Sequence, residues 1–502
     1  MKLRLVFLAV LAWSTSLPAC GSDASSSKTA APPGSTASDG TFALAGRVIG
    51  LKGSGLTLVN GSEKLVVASD GGKEVGFEFE TRKKSGTSYS VSIESQPQAP
   101  VQTCTVANGS GSIGNANVAS VVVDCTANKL TIGGTITGLS GSLVLENNGG
   151  DRLTRTTSGS FTFPTGVESG AAYSVTVGAP PAHQQCTIKK ATGTVRDANV
   201  TDVEVSCAAH DVITVTSANS EALTEFQVPV TLSPATFGYH LASAKGDDLR
   251  FSTDGVSFDV PYWTERWNPG GESRIWLKVP NIPANGSTKI HVLYGDLTRA
   301  AASNGSATFE AFDDFEDGVY TDKWDTYGDF TKIEESGGEL YISGALNWAY
   351  VASKTKFTTP VVVHADMRTR GNSLGLILGD SATRLRYTFF RYNGIGTNVT
   401  TDFDYGADQF DYDYPGLVWS GGGLDELGAW SLEVAARVSG TSIEVVRFCN
   451  LTAGTCNETP KPLPVPGLSS FVAGFSSTLD PFYIGLYHAR KYASAAVTAT
   501  LD

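Results

Sequence analysis

Residues 402–416 read DFDYGADQFDYDYPG and set five aspartates among five aromatic rings. That composition suits three kinds of chemistry. Clustered carboxylates could hold a divalent cation, exposed rings flanked by hydroxyl acceptors could stack on sugars, and paired acids across a cleft could hydrolyse a glycosidic bond. A fourth reading is structural. If Phe403 and Tyr405 share one strand face, Asp402 and Asp404 take the other, and Phe410, Tyr412 and Tyr414 likewise oppose Asp411 and Asp413. The rings then pack inward while the carboxylates face water and discourage edge-to-edge association.

Spacing narrows these options. Asp402, Asp404 and Asp408 fall at the first, third and seventh places of an EF-hand count, but Gly406 stands where an oxygen ligand is wanted and Asp413 is not the bidentate glutamate. An EF-hand is excluded and a looser calcium site at Asp402 and Asp404 stays open. For a sugar platform the candidates are Tyr405, Asp408, Tyr412 and Tyr414. Trp263 and Trp267, beside Pro261 and Pro269, could serve the same purpose but read as core fillers. Gly371-Asn372-Ser373-Leu374-Gly375 matches G-x-S-x-G, yet an apolar strand follows it instead of a helix, and the nearby His364 precedes the serine. This reads as a hairpin turn. His364 alternates with Asp366 and Arg368, the pattern of a solvated strand face. No catalytic residue is assigned.

The elements that must carry these residues are strands. The chain has 502 residues, 55 of them Gly and two Met, with 17% charged residues, a balance typical of a β-rich exported protein long enough for several cores. Its net charge of −13, unrelieved by any basic cluster, argues against a nucleic-acid partner. Most of the acidity lies in 306–502, with 25 acidic against 14 basic residues.

Lys2 and Arg4 precede the apolar run Leu5 to Trp13, the layout of a secretory signal. Leu17-Pro18-Ala19-Cys20 resembles the bacterial lipoprotein lipobox, which implies that Cys20 is lipidated and becomes the mature N-terminus. Cysteine spacing agrees. Cys104 and Cys125 are 21 apart, Cys186 and Cys207 are 21 apart, Cys449 and Cys456 are seven apart, and Cys20 is the odd one of seven. In an oxidising compartment three disulfides are expected, and closing a loop of the longer kind contributes roughly 3 kcal/mol.

Residues 21–41 carry almost no large apolar side chain and read as a flexible tether, with a reach of roughly 25 Å. Two copies of one unit follow, at 42–127 and 128–209. Gly46-Arg47-Val48-Ile49-Gly50-Leu51 matches Gly134-Thr135-Ile136-Thr137-Gly138-Leu139, and GTSYSVSI (86–93) matches GAAYSVTV (170–177). Short alternating runs between Gly and Asn turns predict small antiparallel sandwiches, and the units resemble the Ig-like repeats of bacterial surface proteins, whose role would be spacing.

In 210–305 the blocks FQVPVTL (226–232), DDLRFSTDG (247–255), PYWTERWN (261–268) and IWLKVPNIPANGSTKIHVLYG (275–295) resemble the domain-of-unknown-function 2341 family, a β-sandwich module. In 306–502, FDDFEDG (312–318) with Trp324, GAWSLEVAARVSGTSIEVVRF (428–448) and YIGLYHARKY (483–492) resemble the concanavalin-like, LamG-type jelly roll. That resemblance implies a structural calcium near the rim, for which Asp313, Asp314 and Asp317 are the candidates.

The expected fold is all-β: residues 1–20 as signal, a tether, tandem Ig-like sandwiches, a β-sandwich module and a concanavalin-like jelly roll. The expected function is a lipid-anchored binding protein of the bacterial outer membrane or cell surface, recognising glycan or another extracellular polymer. The alternatives are a structural or assembly component bound to an envelope protein, and a polysaccharide-active enzyme.

Overall fold

Side-chain alternation governs the segments. In the strand Leu223–Leu232, Phe226, Val228, Val230 and Leu232 are buried on one face, as period two requires. The computed structural model describes residues 40–328, 330–343, 349–358, 360–369, 374–381, 384–392, 397–401, 429–437, 442–450, 455–458, 463–464, 470–477 and 481–502. The expected signal, Cys20 and most of the tether lie outside the described residues, as does all of 402–416.

The chain divides into two units. The first holds the described residues up to Thr137 together with 144–179 and 188–205. Within it the first repeat is a two-sheet sandwich. One sheet runs in the order Val75–Glu78, Leu44–Ile49, Val118–Ala127, Gln102–Ala107, and the other in the order Glu63–Val67, Leu56–Asn60, Ser88–Ser95, Ser110–Ser112. Phe42, Leu44, Val48, Leu56, Leu58, Phe77, Phe79 and Val121 fill the space between them. The arrangement departs from a purely antiparallel sandwich, because Leu44–Ile49 and Val118–Ala127 pair in parallel. The first and last main strands of the repeat become neighbours only after the chain has crossed the whole sandwich.

The repeat seen in sequence recurs in the hydrogen bonding. Asn60 accepts from Ser90 N, and Asn147 accepts from Ser174 N. Asn117 accepts from Ala43 N, and Asn199 accepts from Thr131 N. Gly46 and Gly134 stand at the same tight approach: a Cβ would lie 2.3 Å from Val121 O in one and 1.8 Å from Val203 O in the other.

The second unit comprises 138–143, 180–187 and 206–502. Gln184 here donates to Gly138 O at 2.7 Å and accepts from Ser140 N at 2.8 Å. In the first unit Gln102 does the same for its own turn, donating to Gly50 O at 2.7 Å and accepting from Gly53 N at 2.8 Å.

Next comes a β-sandwich module. Its outer sheet is antiparallel, in the order Leu223–Leu232, Ser273–Ile282, Tyr262–Arg266. The facing sheet pairs residues 209–216 with Ser287–Tyr294, which in turn pairs with Arg250–Ser252. Ile213, Val215, Phe251, Ile275, Leu277, Val279 and Val292 are fully buried between the sheets. One further strand completes the module: Val497–Leu501 pairs with Ile213–Ser217, and Asp502 accepts from Thr214 and Lys289. Assigning 306–502 whole to a separate sandwich therefore needs correction, since its final strand belongs to the preceding module.

The C-terminal sandwich lies between these module strands. Its first sheet runs Lys332–Ser336, Glu339–Ser343, Phe482–Lys491, Val361–Thr369, Ala429–Arg437, Ser442–Asn450, Thr455–Glu458. Its second runs Trp324–Tyr327, Ala349–Thr358, Ser470–Ser477, Leu374–Ser381, Arg384–Tyr392, Thr397–Thr401. Phe315, Trp324, Leu340, Val351, Val363, Phe471, Phe475 and Ile484 form the core. Val361–Thr369 and Leu374–Ser381 sit in different sheets, so these two strands are not the arms of a hairpin, and Gly371, Asn372 and Ser373 lie outside the described residues. Each strand finds its partners elsewhere, the first in Ala429–Arg437 and the second in Ser470–Ser477.

Candidate functional site

The acidic run that opens the C-terminal sandwich is the one candidate metal cluster within the described residues. Asp313 is 1% exposed at the end of the strand Ala311–Asp313. Its Oδ2 accepts from the indole Nε1 of Trp324 at 2.7 Å, and its Oδ1 accepts from Lys323 Nζ at 3.0 Å and from Phe315 N at 3.1 Å. Asp317 accepts from the same ammonium at 3.0 Å. Glu335, on the strand Lys332–Ser336, accepts from Gly318 N.

A lysine ammonium therefore occupies the place that a cation between Asp313 and Asp317 would take. Burial alone would lower Lys323, but its hydrogen bonds to Asp313 and Asp317 outweigh this and hold it above the ordinary lysine range. The hydrogen bond to Lys323 keeps Asp317 low, whereas burial raises Glu335. Asp314 takes no part in this network among the described residues. No group of three or more His, Cys, Asp or Glu side chains among them is arranged to hold a metal ion.

A second cluster joins the outer sheet of the module to the first sheet of the C-terminal sandwich. Register builds it from both sides. On the module, Trp263 stands opposite Trp276 and Pro229 flanks Trp276 on the next strand. On the sandwich, Phe312 stands opposite His488, and His488 opposite His364. Phe309 lies between the two rows, with its ring centroid 4.3 Å from His488 and 5.4 Å from Trp276. Trp263 meets Phe312 at 5.0 Å, and His488 meets His364 at 4.6 Å in a stacked pair.

Polar groups seal the same face. Gln227 is 1% exposed, donates to Thr308 O and Glu310 Oε1, and accepts from Lys491 N. Trp276 Nε1 donates to Glu265 at 2.7 Å, and the guanidinium groups of Arg274 and Arg490 lie 5.4 Å and 5.5 Å from its ring.

The structure therefore corrects two sequence expectations. The strand face carrying His364 and Asp366 is only partly solvated, because the two side chains are half-buried and the module covers their His488 neighbour. Asp366 itself turns to His364, with the imidazole Nε2 and the carboxylate 3.0 Å apart. Trp267 does pack at the rim of the module core against Phe237 and Tyr239, as expected, whereas Trp263 lies on the outer face of its sheet.

Sequence reading missed a third arrangement. Asp211, 8% exposed, accepts from Tyr294 at 2.5 Å and lies 2.8 Å from His183 Nδ1. Burial, then the bond to Asp211, pushes the Tyr294 phenol up. The three residues tie separate segments together, with Asp211 bridging the His183 imidazole and the Tyr294 hydroxyl. Nothing in the sequence spacing of these residues announces the contact.

Both longer cysteine pairs form disulfides, Cys104–Cys125 and Cys186–Cys207, each separated by 21 residues. Cys104 and Cys125 are direct cross-strand partners. Cys449 and Cys456 also stand opposite one another in backbone register, with their side chains outside the described residues. Of the predicted ligand and metal residues, Tyr405, Asp408, Tyr412, Tyr414, Asp402 and Asp404 lie outside the described residues. The strands on either side are placed: the chain leaves the second sheet at Thr401 and enters the first at Ala429.

Residues 245–327 match the family described as Domain of unknown function (DUF2341). A DUF2341 domain is present. The match begins after the first two module strands and runs on through Lys323 and Trp324 into the next sandwich. Comparison with curated proteins gives no match.

Among solved structures, the chain is similar to β-agarase B from Zobellia galactanivorans at 14% identity and a TM-score of 0.28, covering 36% of this chain and 92% of that one. It is similar to lectin I-B4 from Griffonia simplicifolia at 11% identity and 0.23, covering 36% and 94%. A legume lectin-like domain from Entamoeba histolytica follows at 9% identity and 0.22, covering 34% and 91%.

Proposed function

We propose that the chain is a lipid-anchored protein of the bacterial cell surface whose C-terminal sandwich binds glycan or another extracellular polymer. The observation that carries the exported part of this reading is the pair of disulfides, one in each repeat, since such bonds persist in oxidising compartments. The anchor rests on the lipobox-like Leu17 to Cys20. The binding part rests on the composition of 402–416, where Tyr405, Asp408, Tyr412 and Tyr414 combine rings with a carboxylate, whereas Asp313 and Asp317 are engaged with Lys323 and Asp211 with Tyr294.

A glycan array probed with the full chain, with and without a calcium chelator, tests the reading. Binding that disappears in Tyr405→Ala or Tyr412→Ala supports it, and its response to chelator tests the calcium proposed at Asp402 and Asp404. A silent array together with a stable protein partner in cross-linked envelopes would replace it with an assembly role. Release of reducing sugar would replace it with an enzyme. Incorporation of a palmitate analogue, abolished in Cys20→Ala, tests the anchor separately.

A further inference from the structure

The junction between the DUF2341 sheet and the C-terminal sandwich buries one group that can change its charge near neutral pH. His488 is 2% exposed, stacked on Phe309 and His364, and its Nδ1 has no hydrogen-bond partner among the described residues. We propose that this junction is an acid-sensitive latch, in which proton uptake by His488 parts the outer sheet of the module from the first sheet of the sandwich.

The surroundings favour a neutral ring. From its own strand Arg490 faces it, and from the module Arg274 lies beyond Trp276. His364 covers it from the adjacent strand. The carboxylates nearby are engaged with other groups. Asp366 is bonded to His364, Glu265 to Arg274 and Trp276, and Glu310 to Gln227. Glu433 stands one strand further on, opposite His364 in backbone register. Lys278 reaches toward Glu225, and Lys491 donates to Thr224 O. A proton on His488 would thus add a third positive charge beside two arginines and leave an N–H without an acceptor in a dry interface.

The direction follows from linkage. Burial first, then His364, Arg490 and Arg274, hold His488 well below the ordinary value of 6.5 while the junction is closed. The opened state regains that ordinary value and binds the proton more readily. The closed junction is therefore at full strength above pH 6.5 and weakens as pH falls through that value. For one proton the opening constant grows about tenfold per pH unit.

Hydrogen exchange of the full chain from about pH 7.5 to about pH 4.5, corrected for intrinsic rates, reads this opening in peptides covering 273–282 and 482–491. The wild type should show the one-proton slope, His488→Phe should lose it while keeping the stacking, and His364→Gln should retain it. An unchanged slope in His488→Phe, or its loss in His364→Gln, overturns the assignment. Should His488→Phe fail to fold, imidazole carbon shifts of the six wild-type histidines decide. A cationic His488 inside a still protected junction refutes the latch, and a cationic His488 that appears only with lost protection supports it.

Discussion

Asp313 and Trp324 are joined by a 2.7 Å hydrogen bond from the indole to a carboxylate that is almost wholly out of water. The ring it holds is among the largest fully buried side chains and packs against Phe315, Phe475 and Tyr487. One acidic residue thus fixes both a core aromatic and the Lys323 ammonium.

Asp313→Ala should destabilise the second unit by about 3 kcal/mol, because it strands a half-buried lysine and an indole N–H together. Asp317→Ala, whose partner is shared and whose carboxylate is exposed, should cost no more than about 1 kcal/mol. Urea unfolding followed by tryptophan fluorescence separates the two, and equal effects would contradict the network described.

Alkaline pH should loosen the same sandwich. Lys323 is held above its ordinary 10.5, so the folded state keeps a proton that the unfolded chain gives up. Its contribution is complete below pH 10.5 and disappears as pH rises through the folded value. Burial likewise raises the Tyr487 phenol, which acts in the same direction above its ordinary 10.0. Lys323→Met should flatten the pH dependence of the unfolding midpoint above pH 10.5 by about one proton.

Deleting 497–502 should weaken the DUF2341 module even though the matched region is left intact. The strand Val497–Leu501 supplies backbone pairing along Ile213–Ser217 and packs Val497, Ala499 and Leu501 against the module core. The loss should be on the order of 3 kcal/mol, from half-buried aliphatic area and ladder hydrogen bonds. Hydrogen exchange in 209–217 and 287–294 should rise accordingly, with unit 1 unaffected.

Gln102→Ala should cost about 2 kcal/mol by leaving Gly50 O and the amides of Lys52 and Gly53 without their partner. Gln184→Ala should do the same for Gly138 O and Ser140 N. Thermal scans of the two variants check whether the repeats share this support as well as their sequence.

Much of this was legible in the residues because it is local. The matched GRVIGL and GTITGL segments, the equal cysteine spacings and the alternation in FQVPVTL all report neighbours within a strand or a pair of strands. What escaped was long-range. Nothing in YASAAVTATLD indicates that it pairs with residues 213–217, since that contact depends on everything folded in between. His364 and Asp366 read as a water-facing row because alternation tells which side a residue takes and not what covers that side. The acidic run at 313–317 was visible as carboxylate density, whereas the answering charge, Lys323, belonged to a separate turn.

The return of Val497–Leu501 to the module means that the C-terminal sandwich is an insertion held at two points, entering after Tyr294 and leaving before Val497. A single peptide-bond cut inside it would leave both pieces moored, each through its own strand. Releasing this sandwich from the module would therefore demand two cleavages, or the peeling of an edge strand.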